Sequence, residues 1–294
     1  MPDPAVERDA AEAASAFSHP PVAPDATAAY GAHPDQVVDF YAPRDASGPG
    51  TPAPLVVVLH GGAWRAPYDR QHVTPFADLL ARRGFAVANV EYRRGRSLPH
   101  QNAEGPVAGR WPETFDDVAA ALDALPALAA AALPTADLRR TVITGHSAGG
   151  QLALWAAARH VLPADAAWRL PEPPALRGVV ALAPIADFTV AEDLGVCGGA
   201  SAQLLGGGPE PFATRRPYAD PAALLPTGIA TTVVQGREDI VVPPRVAESY
   251  VEAAAKAGET VGLTLLDDIG HFPLIDPAAD ACAVVIEEIS QLAW

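Results

Sequence analysis

Gly145-His146-Ser147-Ala148-Gly149 lies between the β-branched apolar run at 141–144 and a helical pattern that begins at Leu152, which is the setting of a nucleophile elbow. A serine lifted on a tight strand-to-helix turn takes strained dihedrals, and glycines two residues to either side let neighbouring backbone pass close. Ser147 is therefore the candidate nucleophile. A serine hydroxyl needs a base to take its proton, and a histidine base needs an acid that fixes its tautomer and stabilises the imidazolium. Candidates for both lie downstream. Asp239 follows the apolar run 231–234, and His271 sits in Gly270-His271-Phe272 after the run 261–266. Glu238, Asp267 and Asp268 compete for the acid's part, and the loop after the penultimate strand favours Asp239. Of the eight histidines, His271 alone follows the last strand.

A third feature is independent of those two. His60-Gly61-Gly62-Ala63-Trp64 follows the most hydrophobic strand pattern of the chain, residues 55–59. Backbone at Gly61 and Gly62 can approach a ligand closely, so their amides, together with that of Ala148, are candidate donors to a substrate oxyanion. Trp64, His146 and Phe188 are candidate pocket residues, as are His100 and Trp111, although each also reads as core packing or plain loop. His60 and His146 flank the motifs and read most simply as residues that hold loops by hydrogen bonds. Glu113 and Asp116 complement the positive start of a helix. Such chemistry requires no metal and no organic cofactor.

These groups need strands that end beneath them, and the chain supplies an alternation. Residues 37–41, 54–59, 85–91, 141–146, 178–183, 231–234 and 261–266 read as strands. Helices are expected near 71–83, over 113–132 with Pro126 marking a kink or break, and from the elbow to near His160. This spacing predicts an α/β fold, a mostly parallel central sheet with helices on both faces. Residues 1–35, rich in alanine, proline and acid and without sustained periodicity, are expected to lie as an arm over a single domain spanning 36–294. Residues 93–112 read as a loop at the rim of the site. Residues 187–226 break the alternation with a glycine cluster and five prolines. They are expected to form a short cap insertion over the carboxyl ends of the strands, or else a solvated excursion.

The order Ser, Asp, His along the chain, with these loops around it, resembles the α/β-hydrolase superfamily, and within it the HGGxW branch of small esterases and kynurenine formamidase-like enzymes. The resemblance covers about residues 36 to 291 and extends to Asn89-Val90-Glu91-Tyr92-Arg93 and to the segment 111–118 that opens with Trp111-Pro112. It implies the α/β-hydrolase fold, with Ser147 as nucleophile, His271 as general base, Asp239 as its orienting acid, and Gly61, Gly62 and Ala148 as oxyanion donors. Ala63 departs from the tyrosine that often follows the glycine pair in the formamidases. The implied activity is cleavage of a carboxylic ester of a small molecule through an acyl-enzyme. Hydrolysis of N-formylkynurenine, whose formyl group suits a tiny acyl pocket, is the alternative. A non-catalytic ligand receptor on the same fold is a third reading, disfavoured by the presence of every triad and oxyanion residue.

Composition bounds the rest. A chain of 294 residues, 49% of them hydrophobic, can bury one large core without a second domain. The formal charge of −15 argues against nucleic acid and anionic membrane surfaces, which demand clustered cations. There is no apolar run of about twenty residues, and the first residues carry Asp3, Glu7, Arg8 and Asp9 rather than a basic stretch followed by an apolar one, so a cytoplasmic protein is expected. Cys197 and Cys282 are far apart, without metal-ligand spacing, and suit a reducing compartment, with one disulfide as the alternative. The expected partner is a small ester or formamide, taken by a monomer or a homodimer.

Overall fold

A computed structural model of the chain describes residues 3–44, 52–95, 108–109 and 111–294. Helix α1 (Pro4–Ala16) and strand β1 (Ala26–Ala29) precede β2 (Val37–Tyr41), β3 (Ala53–Leu59), α2 (Thr74–Arg82) and β4 (Ala86–Val90). The chain continues through α3 (Glu113–Ala132), β5 (Ala136–His146), α4 (Ala148–Ala157) and β6 (Gly178–Leu182). Three short helices follow, α5 (Phe188–Asp193), α6 (Ala200–Leu204) and α7 (Pro209–Arg215), before β7 (Thr231–Gly236), α8 (Pro244–Lys256), β8 (Gly262–Leu266) and α9 (Asp280–Ala293).

The eight strands form one sheet in the order β1-β2-β4-β3-β5-β6-β7-β8. The pairs β1/β2 and β2/β4 are antiparallel and all the others are parallel. Every residue of β3 is buried, as a strand covered on both faces must be. Its side chains alternate between two cores: Leu55, Val57 and Leu59 pack with Phe115 of α3 and Trp155 of α4, whereas Val56 and Val58 pack with Phe76 of α2 and Ile289 of α9. Helices therefore cover both faces of a mostly parallel sheet, as the alternation predicted.

Local departures from the sequence reading have physical causes. Strand β5 starts at Ala136 rather than Thr141, because Ala136 and Asp137 pair with Ala53 and Pro54 before the register shifts at Leu55. Those added residues are half exposed and carry no apolar run. Helix α3 runs unbroken through Pro126. Helix α4 ends at Ala157, with a single 3-10 turn, Arg159–Val161, after it. Two elements precede Val37. Helix α1 buries only Ala16 and so shows no apolar stripe, and β1 is held through its backbone pairing with β2. The segment 187–226 is a string of short helices. His100 and most of the 93–112 loop lie outside the described residues. Cys197 and Cys282 are both free thiols. Among the described residues no helix is long and apolar enough to cross a membrane.

Candidate active site

Ser147 sits between the end of β5 and the start of α4 with φ +57° and ψ −118°, a conformation that a residue with a side chain rarely adopts. The elbow is held by close packing. A Cβ on Gly145 would lie 2.3 Å from the carbonyl oxygen of Gly149, and one on Gly149 would lie 2.1 Å from that of Leu59, at the end of β3. Only glycine fits either place. The Ser147 N–H donates to the Leu182 carbonyl at 2.8 Å, which ties the elbow to β6 as well.

Asp239 follows β7, and its Oδ1 accepts the N–H groups of Val241 and Val242, both at 2.8 Å. Its Oδ2 accepts from Gln235 Nε2 at 3.2 Å and from His271 Nδ1 at 2.6 Å. Asp239 and His271 are both buried. A histidine that donates through Nδ1 keeps a lone pair on Nε2, the form a general base requires. The competing carboxylates are elsewhere: Glu238 pairs with Arg8 at 3.1 Å and Asp267 with Arg237 at 2.6 Å, both near the surface, and Asp268 is exposed. His146 contacts the backbone of His271. Its Nε2 meets the His271 carbonyl at 3.0 Å, and burial followed by the neighbouring His271 charge pushes its pKa well below the usual histidine value, so it stays neutral.

The glycine loop is fastened to this frame from two sides. A Cβ on Gly61 would be 2.8 Å from the His146 carbonyl and 3.3 Å from the Ser147 Cβ, which shows how closely the loop meets the elbow. Beneath it His60 is fully buried and stacks on Tyr92 with ring centroids 4.3 Å apart. His60 Nδ1 meets the Gly61 carbonyl at 2.9 Å and its Nε2 meets Glu91 Oε1 at 2.8 Å. The Tyr92 hydroxyl donates to the His60 carbonyl at 2.6 Å. Glu91 also accepts the Arg70 N–H at 3.0 Å and is paired with Arg94. Burial alone would raise the Glu91 pKa, but His60 and Arg94 bring it down to about 2. The loop-holding part expected of His60 is thus visible, and Glu91 and Tyr92 complete it. The N–H groups of Gly62 and Ala148 have no acceptor among the described residues, and Ala148 opens α4, where the helix dipole favours negative charge.

These pieces border one cavity of about 140 Å³, lined by Ser147, His271, His146, Gly62 and Ala63, with side chains that the sequence reading did not single out: Phe17, Arg65, His72 and Cys197. Phe17 comes from the segment after α1 and Cys197 from the string of short helices over 187–226, so their approach depends on tertiary folding. Arg65 was next to the glycine motif and could have been flagged as a cation beside a candidate anion site. Trp64 and Phe188 do not line this cavity; both are buried and meet edge to face at 5.9 Å behind it. Trp111 packs on Phe115 and Trp168, and Asp116 accepts from Trp168 Nε1 at 2.7 Å. A larger cavity of about 520 Å³ opens at the other end of β3 and β5, between Leu55, Pro126 and Leu176. Its Asp123 and Arg159 pair with each other at 2.8 Å and it holds no histidine, cysteine or serine. The smaller cavity, at the carboxyl ends of the parallel strands, is where the chemistry can occur.

The family model BD-FAE matches residues 38–253. The chain is 30% identical over 122 residues to the non-reducing polyketide synthase Preu3 of Preussia isomera, a match covering 41% of this chain and 4% of the synthase. Among solved structures it is similar to the bifunctional GH43-CE protein of Bacteroides eggerthii, with 23% identity and a TM-score of 0.71 over 92% of this chain and 38% of that one. It is also similar to an inhibited esterase B of Lactobacillus rhamnosis, with 20% identity and a TM-score of 0.72 over 98% of this chain and 92% of that one. The chain spans well under half the length of the first two.

Proposed function

Since the chain belongs to the BD-FAE family, an α/β-hydrolase-type esterase family, we propose that it cleaves a carboxylic ester of a small molecule through an acyl-enzyme on Ser147. The observation that supports this most is the 2.6 Å contact between Asp239 Oδ2 and His271 Nδ1, with His271 and Ser147 lining one cavity. In this reading Asp239 fixes the tautomer, and His271 Nε2 takes the proton as Ser147 Oγ attacks the ester carbon. The carbonyl oxygen becomes an oxyanion received by the amides of Gly61, Gly62 and Ala148, each such donor being worth about 2.7–4 kcal/mol in hydrolases where one has been removed. When the tetrahedral adduct collapses, the bond to the leaving oxygen breaks, and the imidazolium protonates it so that the alcohol departs. Water, deprotonated by the same imidazole, then attacks the acyl-enzyme, releases the acid and returns the proton to Ser147.

A second reading, hydrolysis of N-formylkynurenine, is favoured by the cavity's size, since about 140 Å³ suits a formyl or short acyl group. One experiment separates the readings: kcat/KM for N-formylkynurenine beside p-nitrophenyl esters of increasing acyl length, with Ser147→Ala as control. Short esters are expected to be turned over best, and Ser147→Ala to lose about 10⁴-fold or more in kcat. A formamide turned over far faster than every ester would establish the second reading. Activity that survives Ser147→Ala would remove both.

A further inference from the structure

Among the described residues lining the cavity beside Ser147, Arg65 carries the one guanidinium. Its Nη2 donates to the Cys197 carbonyl at 2.6 Å, while its Nε is buried and has no partner. No described carboxylate lies within ion-pair distance of it, although most arginines of this acidic chain are paired, from Arg8 with Glu238 to Arg245 with Glu252. Arg169 and Arg215 likewise donate to carbonyls, but neither lines the cavity. A second unsatisfied group shares the space: His72 also lines it, and His72 Nδ1 is buried without a partner. Buried polar atoms left unpaired, and a half-desolvated cation without a counter-ion, are both unfavourable unless a ligand completes them.

We infer that Arg65 forms an anion subsite, so that the esters this protein takes carry a carboxylate a few bonds from the scissile carbonyl. The inference rests on the esterase reading above and specifies its substrate class. A carboxylate in the cavity can accept from Arg65 Nη1, which has no partner among the described residues, while Nη2 keeps its bond to the Cys197 carbonyl, and a charge-assisted bond to a guanidinium is among the strong ones. The net charge of −15 opposes an anion at this subsite only weakly, because surface charges farther away than about 8 Å are largely screened at physiological ionic strength. Close to the serine, the nearby guanidinium dominates.

The test uses isosteric pairs that differ in charge. Ethyl hydrogen succinate against ethyl 4-oxopentanoate places the carboxylate on the acyl side; acetoxyacetate against acetoxyacetone places it on the leaving side. In wild type, the anionic member of at least one pair is expected to exceed its neutral isostere in kcat/KM. In Arg65→Met that ratio is expected to fall by about tenfold or more, the scale of one charge-assisted hydrogen bond, with partial recovery in Arg65→Lys. Succinate binding, followed by calorimetry in wild type and Arg65→Met, reads the subsite without turnover. Loss of all turnover with succinate still bound through Arg65 would remove the esterase mechanism and leave the subsite. No anionic preference in wild type, or a ratio and succinate affinity unchanged in Arg65→Met, would overturn the subsite.

Discussion

The carboxylate of Glu12 accepts the backbone N–H of Gly270 at 3.0 Å, a contact spanning 258 residues that ends one residue before His271. It belongs to a series running along α1 and the segment after it. Arg8 pairs with Glu238, next to Asp239, at 3.1 Å, while Ser15 and His19 reach Asp276 at 2.6 and 2.8 Å. The amino-terminal segment thus braces the loop that carries Asp239 at one end and the loop that carries His271 at the other, and Phe17 adds a wall of the cavity.

Glu12 is therefore expected to act as a positioning residue. Glu12→Ala leaves the Gly270 N–H without its acceptor, a loss of about 1–3 kcal/mol in stability, and loosens the loop that carries His271. The expected kinetic result is a several-fold fall in kcat with KM little changed, largely restored in Glu12→Gln, whose amide oxygen can accept the same N–H. Melting temperature, kcat and KM for the three proteins check it. A Glu12→Ala enzyme equal to wild type in all three would reduce α1 to packing.

Strain at the elbow gives a second expectation. Holding a residue with a side chain at φ +57° and ψ −118° costs on the order of 1–3 kcal/mol, whereas glycine pays only its greater freedom in the unfolded chain, about 0.4–1 kcal/mol. Ser147→Gly should accordingly be more stable than Ser147→Ala by about 1 kcal/mol, with both inactive. Equal urea midpoints for the two variants would show that the elbow stores no strain.

What the sequence made legible follows from what each motif depends on. Gly145, Gly149 and Gly61 are fixed by backbone contacts between adjacent strand ends, and β3 by burial on both faces, so local pattern carries them. Position after the penultimate strand favoured Asp239 over Glu238 and Asp267, but sequence does not record where these three side chains go: Asp239 meets His271, whereas Glu238 and Asp267 pair with Arg8 and Arg237. Helix α1 was illegible because polar contacts at Glu12, Ser15 and His19 dock it in place of an apolar stripe. Phe17, His72 and Cys197 meet at the cavity from three distant segments, which no periodicity records. Trp64 and Phe188 had the composition of pocket residues, yet their mutual packing takes them out of the lining.

The buried imidazoles set the direction of the stability–pH profile. Burial, reinforced by the neighbouring His60, brings the His72 pKa down to about 3 from an ordinary 6.5, and burial lowers that of His146 as well. Between those two pH values the unfolded chain binds a proton at His72 that the folded chain refuses, so stability must fall as pH drops below about 6.5, by about 1.4 kcal/mol per pH unit for one such group. Asp220 acts in the opposite sense: burial raises it to about 6 from 3.8, so the folded state holds a proton there that the unfolded chain releases, and acidification through that window adds stability. Glu91, brought down to about 2, contributes stability above 4.5 that is lost only as pH falls further. Asp9 and Glu12, also raised by burial, act in the same sense as Asp220, but the unfolded chain begins to protonate both histidines near their ordinary 6.5, so the first steps of acidification from neutral pH are expected to give a net loss. Urea midpoints at pH 7.5, 6.5 and 5.5 should decline, and His72→Phe, which keeps a ring between Phe17 and His60 but cannot titrate, should flatten the decline. A decline of the same slope in His72→Phe would mean that His72 is not the group that resists the proton.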